Sequence, residues 1–190
     1  MNNNVYRELQ IPNLFIPYYK DMVFNSSVEM RLLLSQINAD FINWLTTLNI
    51  GVRNCRFFSA EPGDKYVLHK DIDWNNEKNK TFNDCVKLNI IYNASNSKMI
   101  WYEERPGLVP NIIRNAVGEE LRTYNKENCS VVFESLVIGP SCLVNGMVIH
   151  TMINGNTTRH CYSLPLIDLT TSNRLTWDDA VNRLSKYINQ

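Results

Sequence analysis

Residues 61–71, EPGDKYVLHKD, contain the pattern that decides the fold class of this chain. The Pro-Gly-Asp at 62–64 is turn-forming, and the residues after it predict a β-strand over 66–72. Side chains two residues apart on a strand point to the same face. His69 and Asp71 are therefore expected to share a face, where both could bind one metal ion.

The strand pattern extends over about residues 51–166, where short apolar segments alternate with turn-forming clusters. Besides 66–72, the predicted strands are 52–59, 85–92, 98–103, 130–138, 142–150 and 158–166. Many short strands with such breaks are typical of a sandwich or a barrel. We therefore predict a mainly β fold with flanking helices.

Helical patterns flank and interrupt this β region. Ser26 and Glu29 have the spacing of a capping box, and the apolar pattern after them predicts a helix over about 27–48, packed outside a sheet. A second amphipathic helix is predicted over about 177–188. Residues 104–128, with two prolines and two glycines, predict an inserted loop with a short helix, either a lid or surface decoration.

Size and composition predict one globular domain over residues 1–190. The formal net charge is zero, so general nucleic-acid binding is not expected. No apolar run approaches the ~18 residues of a membrane span, and no signal-peptide pattern is found, which predicts a cytoplasmic protein with no membrane partner. Five cysteines, odd in number and without CxxC spacing, indicate neither a disulfide framework nor a zinc knuckle.

His150, one of three histidines, is the candidate for a third metal ligand. It ends the predicted strand 142–150, where an inward polar side chain needs a partner. Closure of a jelly roll would bring this late strand to the strand of His69 and Asp71. Two imidazoles and one carboxylate leave open positions on a non-haem Fe(II). Asp73 is a competing carboxylate, but it lies where the strand is expected to end.

Arg159 is the candidate for binding a dicarboxylate. It follows the turn-forming residues 154–156, which are expected to fold its strand back beside the strand of His150. The planar guanidinium can bind a carboxylate through two hydrogen bonds. Strand alternation places Ser163 on the face of Arg159 and His160 on the other face, so His160 is not expected to be a fourth ligand.

Four other polar residues lie on predicted strands. Lys87 and Asn89 share one face of the strand 85–92, where they could bind co-substrate or substrate if that face lines a cavity. If that face meets solvent, they are ordinary surface residues. Arg53 and Arg56 could meet an anionic substrate, but we expect them at the solvated surface.

Three segments of the chain resemble the Fe(II)/2-oxoglutarate-dependent oxygenases, over about residues 51–166. Residues 61–71 resemble the entry to the core of the prolyl-hydroxylase-like and aspartyl/asparaginyl-hydroxylase-like members. Residues 148–150 and 158–164 resemble the distal histidine of that family and the strand that carries its co-substrate arginine.

The resemblance implies a double-stranded β-helix, the cupin-like jelly roll, with Fe(II) bound by His69, Asp71 and His150. It implies 2-oxoglutarate and O2 as co-substrates, with the far carboxylate of 2-oxoglutarate on Arg159. The implied activity is hydroxylation of a small metabolite or of an amino-acid side chain in a peptide or protein.

One position departs from the family pattern. Relatives often have a hydroxyl residue two positions after the arginine, and this chain has Cys161 there. Because a thiol is a poorer donor, Ser163 or a tyrosine would have to help bind the carboxylate.

Two other classes stay open on the sequence alone. A cupin-type metalloenzyme that does not use 2-oxoglutarate would not need Arg159. A non-catalytic jelly-roll binding protein would use His69 and His150 as packing residues only.

Overall fold

The structure of the protein is a computed structural model. It describes the chain apart from residues 1–3, 20, 21, 23, 25, 72, 73, 76–79, 82–84, 117, 119, 137–139 and 190. Asp73, the competing carboxylate, lies outside the described residues. In the described part, no helix is both long enough and apolar enough to cross a membrane.

Strands dominate the described residues, with two α-helices and three 3-10 turns. The strands are β1 (Tyr6–Leu9), β2 (Val28–Leu32), β3 (Ile50–Val52), β4 (Cys55–Ala60), β5 (His69–Asp71), β6 (Trp74–Asn75), β7 (Lys80–Thr81), β8 (Val86–Tyr92), β9 (Lys98–Glu104), β10 (Asn111–Arg114), β11 (Glu120–Thr123), β12 (Cys129–Leu136), β13 (Ser141–Asn145), β14 (Ile149–Ile153) and β15 (Arg159–Asp168). The helices are α1 (Ala39–Thr47) and α2 (Trp177–Arg183), and the 3-10 turns are Leu34–Gln36, Lys126–Asn128 and Ser185–Tyr187.

Two antiparallel sheets form the body of the protein. The first has the strand order β1-β13-β8-β15-β4-β2, with β3 paired to β15, and the second has the order β10-β11-β5-β14-β9-β12. From β4 to β15 the long strands alternate between the sheets, except that β9 and β12 are neighbours in the second. This winding is the jelly roll, or double-stranded β-helix, so the predicted mainly β, cupin-like fold is confirmed.

The largest hydrophobic cluster lies on the outer face of the first sheet, under the helices. Leu88 of β8 and Tyr162 of β15 belong to it, together with Phe41 and Trp44 of α1 and Trp177 of α2. Burying each of these large side chains stabilises the fold by about 1.5–3 kcal/mol. The prediction that the N-terminal helix packs outside a sheet is therefore correct.

A second hydrophobic cluster fills part of the space between the two sheets. It contains Trp101 of the second sheet and Ile91 and Cys161 of the first. Trp101 is fully buried, and its ring centroid lies 5.3 Å from that of Tyr6 and 5.5 Å from that of Phe133. Because strand side chains alternate, β8 and β15 supply both clusters from their two faces.

Both helices are shorter than predicted. The first part of the predicted helix 27–48 is the edge strand β2, which pairs with β4, and α1 begins only at Ala39. Val28, Met30 and Leu32 alternate with polar residues at the period of a strand, and the sheet edge supplies backbone hydrogen bonds. The second helix starts as predicted, but it ends at Arg183 and a 3-10 turn follows.

Residues 142–150, predicted as one strand, form two strands that lie in different sheets. β13 ends at Asn145 and β14 begins at Ile149, with a turn at 146–147. Asn145-Gly146 is a strong turn signal. The expectation that β15 lies beside the strand of His150 is also wrong, because β15 pairs with β8 and β4 in the facing sheet.

The described residues of the segment 104–128 include a β-hairpin, and no α-helix is found among them. β10 and β11 pair with each other, and β11 also pairs with β5, so the hairpin extends the second sheet. The 3-10 turn Lys126–Asn128 is the helical structure found among the described residues of this segment. The pairing of β11 with β5 places the hairpin next to the His-x-Asp strand.

Candidate metal centre

His69, Asp71 and His150 meet where β5 pairs with β14 in the second sheet. His69 and His150 are directly opposite in register, and their ring centroids are 4.4 Å apart. The Nε2 atom of His69 lies 4.0 Å from Oδ1 of Asp71. One ligand atom from each residue lies within 4.8 Å of the others, so the three could hold one metal ion. The structure thus brings the three predicted ligands together.

Backbone hydrogen bonds select the tautomer of both histidines. Nδ1 of His69 lies 2.8 Å from the carbonyl of Val67, and Nδ1 of His150 lies 2.8 Å from the carbonyl of Val148. A carbonyl oxygen only accepts, so each Nδ1 must donate its proton and each Nε2 keeps a lone pair. This is the arrangement that orients an imidazole as a metal ligand.

The protonation states of the cluster also suit a metal. Burial lowers the pKa of His69, and it lowers the pKa of His150 to about 3, helped by the neighbouring His69. Burial alone would raise the pKa of Asp71, but Lys87 and then the two histidines hold that pKa well below its usual value. Neutral imidazoles and a charged carboxylate are the states in which these groups bind a metal.

Lys87 contacts the carboxylate from the facing sheet. Its Nζ lies 2.6 Å from Oδ1 of Asp71, and the two side chains are only 8% and 4% exposed. The other oxygen, Oδ2, is buried and has no hydrogen-bond partner among the described residues. A buried carboxylate oxygen normally needs a donor or a cation, so this orphaned atom fits a metal at the cluster.

Gly146 makes room for Asp71. A Cβ at this position would overlap Oδ2 of Asp71 and lie 3.1 Å from the carbonyl of Cys85. The carbonyl of Gly146 also accepts from the backbone N–H of Asp71 at 2.9 Å. The turn between β13 and β14 therefore positions the carboxylate, a role that the sequence analysis missed.

The cluster faces a cavity of about 400 Å³, a size that suits a small molecule. The cavity is lined by every residue that the sequence suggested for the site, namely His69, Asp71, Lys87, Asn89, His150, Arg159 and Ser163. The hairpin also lines it, through residues such as Ile113 and Leu121. Lys87 and Asn89 thus face the cavity and not the solvent, the two alternatives that the sequence left open.

Arg159 is buried in the wall formed by the first sheet. It is 5% exposed, and within the part of the chain that the structure describes its Nε has no hydrogen-bond partner. Tyr66 lines the cavity as well. Burial raises the pKa of Tyr66 to about 12, although the positive charge of Arg159 acts to lower it. The tyrosine hydroxyl therefore stays neutral and able to donate.

His160 lies outside the cavity, as predicted. Its ring stacks on Phe57 with the centroids 5.6 Å apart and the planes inclined by 24°. Its neighbours Arg159 and Cys161 line the cavity on the other face of β15.

Arg56 contradicts the expectation of a solvated surface residue. It is buried and lines the cavity, whereas Arg53 is exposed as expected. β4 pairs with β15 so that Arg56 lies opposite Ser163, which puts the arginine on the inner face. Because this pairing joins strands that are distant in the chain, no local sequence signal could have shown it.

Comparisons with known proteins find a likeness among solved structures. No family model matches the chain, and no curated protein matches it in sequence. Among solved structures, a cupin 2 domain-containing protein from Halorhodospira halophila is similar at 10% identity and a TM-score of 0.33, over 95% of this chain and 90% of that one. The strand order and the His-Asp-His cluster themselves define a cupin-like jelly-roll protein with a candidate metal site.

Proposed function

We propose that this protein is an Fe(II)- and 2-oxoglutarate-dependent dioxygenase that hydroxylates a small metabolite or an amino-acid side chain. One observation carries the proposal: the His-Asp-His cluster and the buried Arg159 line the same cavity from facing sheets. The cluster supplies metal ligands, and the buried arginine supplies a partner for a carboxylate.

His69, Asp71 and His150 would hold the iron through the two Nε2 atoms and the carboxylate. This ligand set leaves open positions, and bound Fe(II) would supply the redox chemistry that couples 2-oxoglutarate to O2. The hydrogen bonds from the two Nδ1 atoms keep the imidazoles in the ligating orientation.

Arg159 would bind the far carboxylate of 2-oxoglutarate through its planar fork. Tyr66 lines the same cavity and can donate a hydrogen bond from its hydroxyl group. It would take the part of the hydroxyl residue that relatives often have at the position of Cys161. A cupin-type enzyme without 2-oxoglutarate would leave the buried guanidinium without a ligand.

Apolar side chains complete the lining of the cavity. Met99, Val144 and Met152 line it from the strands, and Leu121 lines it from the hairpin. Where such a lining excludes water, the electrostatic interactions inside the site are stronger and side reactions are limited.

Conversion of 2-oxoglutarate to succinate tests this function without knowledge of the substrate. Protein supplied with Fe(II), 2-oxoglutarate and air should form succinate slowly. Arg159→Gln should raise the 2-oxoglutarate concentration required by about 30-fold or more, because a buried charge pair is worth about 2–5 kcal/mol. Arg114→Gln, at an arginine side chain that is 74% exposed, is the matched control and should change little. Iron-loaded protein that forms no succinate would contradict the function.

A further inference from the structure

A second group of polar residues lines the cavity in a row across three strands. Ser163 of β15 lies opposite Asn89 of β8 on one side and opposite Arg56 of β4 on the other. Side chains directly opposite in a sheet have Cβ atoms about 4.5–5.5 Å apart. All three residues are buried and line the cavity, so their polar groups can contact one ligand together.

This row of residues lies at some distance along β15 from the backbone of Arg159. Ser163 follows Arg159 by four residues on the same strand, which places their Cα atoms about 13 Å apart at 3.3 Å per residue. The two arginines therefore leave the sheet at different places along the same wall. The cavity can present one guanidinium to each of two anionic groups.

The charges around the cavity favour a second anion. Three buried cationic side chains, Arg56, Lys87 and Arg159, face two acidic ones, Asp71 and the partly buried Glu29. Fe(II) and doubly charged 2-oxoglutarate carry opposite charges of equal size, so binding both leaves this excess of positive charge. Since buried charge is costly without compensation, the remaining ligand should be negative.

Asn89 places a further requirement on the chemistry of the ligand. Its Oδ1 atom is buried and finds no hydrogen-bond partner in the described residues, and the residue is only 8% exposed. The amide is thus an unused acceptor in the same row as the arginine. A ligand that fits the row presents a hydrogen-bond donor next to its anionic group.

We propose that the substrate is a small carboxylic acid whose carboxylate binds Arg56 and Ser163, and whose adjacent hydroxyl or amino group donates to Asn89. This assignment rests on the proposed function, which gives Arg159 to 2-oxoglutarate. Arg56 supplies a planar fork for the carboxylate, and Ser163 supplies a hydroxyl donor between the two strands. Glu29, which accepts from Asn115 of the hairpin segment at 2.7 Å, also lines the cavity.

Binding of simple probes to metal-free Arg159→Gln protein tests the subsite without iron or 2-oxoglutarate. Pentanoate and pentanamide have the same number of heavy atoms and differ in charge. Ligand-observed NMR should show pentanoate bound about tenfold more tightly than pentanamide, the effect of one charged hydrogen bond of about 1.5 kcal/mol. Adding Arg56→Gln should abolish this preference, whereas adding Arg114→Gln should preserve it.

A second arm tests the role of the amide. 2-Hydroxypentanoate should bind more tightly than pentanoate, and Asn89→Leu should remove that difference. Arg56→Lys, which keeps the charge, guards against loss of folding and should retain part of the preference for pentanoate. An unchanged preference in the Arg56→Gln protein would overturn the subsite. Direct binding of 2-oxoglutarate to wild-type and Arg159→Gln protein, measured separately, reports on the proposed function.

Discussion

The Nζ atom of Lys87 lies 2.6 Å from Oδ1 of Asp71, and both side chains are buried. The two residues belong to facing sheets, so this ion pair joins β8 to β5 across the cavity. A metal at the His-Asp-His cluster would share the carboxylate with the ammonium group. We therefore expect the lysine to stabilise the metal-free protein and to weaken the binding of a metal ion.

Lys87→Met is expected to separate these two effects. Without metal, the variant should lose about 3–5 kcal/mol of unfolding free energy, because Asp71 becomes a buried charge without its partner. It should bind Zn(II) more tightly than the wild type, since the repulsion between the ammonium and the metal is gone. Urea unfolding with and without Zn(II) measures both quantities.

Lys98→Met is the matched control for this experiment. Lys98 also forms an ion pair at 2.6 Å, with Glu134, but the pair is exposed. Its loss should change the unfolding free energy by no more than about 1 kcal/mol. Equal effects of the two substitutions, or weaker Zn(II) binding by Lys87→Met, would refute the assigned role of Lys87.

Gly146→Ala is expected to weaken metal binding by about 10- to 100-fold, the usual effect of disturbing a group that positions a ligand. The added methyl group would displace the carboxylate of Asp71. Competition against a chelating dye measures the affinity. Gly107→Ala is the control. An added Cβ there meets no described atom within 4 Å, but the φ of +84° strains any other residue. It should lower stability alone, and a similar loss of metal affinity in both variants would contradict the role of Gly146.

The unfolding free energy of the chelator-treated protein is expected to fall as the pH drops from 6.5 toward 3. Burial lowers the pKa of His150 from 6.5 to about 3, so across this range the unfolded chain binds a proton that the folded chain does not. Each such histidine changes the unfolding free energy by up to about 1.4 kcal/mol per pH unit. His150→Gln should reduce the slope, and an equal slope in the two proteins would be the contrary result.

The sequence was sufficient for the parts of the site that depend on local geometry. The two-residue period of a strand places His69 and Asp71 on one face, and it separates Arg159 from His160. The jelly roll then brings β14 against β5, which makes His150 the neighbour of His69. The first two relations follow from strand alternation alone, and the third follows from the closure of the predicted jelly roll.

The parts of the fold and site that were not predicted depend on contacts between distant strands. Arg56 became a cavity residue through the pairing of β4 with β15. The segment Val28–Leu32 became a strand because a sheet edge was available, although Ser26 and Glu29 have capping-box spacing. Gly146 matters because of the side chain of Asp71, which is 75 positions away in the chain. Long-range register of this kind leaves no periodic signal in the sequence.

Anaerobic titration with Fe(II) tests the metal centre most directly. The wild-type protein and His160→Gln should each bind about one iron per chain, because His160 stacks on Phe57 away from the cluster. His150→Gln should lose most of this binding, since it removes one of the three ligand atoms that lie within 4.8 Å of one another. No stoichiometric binding by the wild type, or undiminished binding by His150→Gln, would contradict the metal centre.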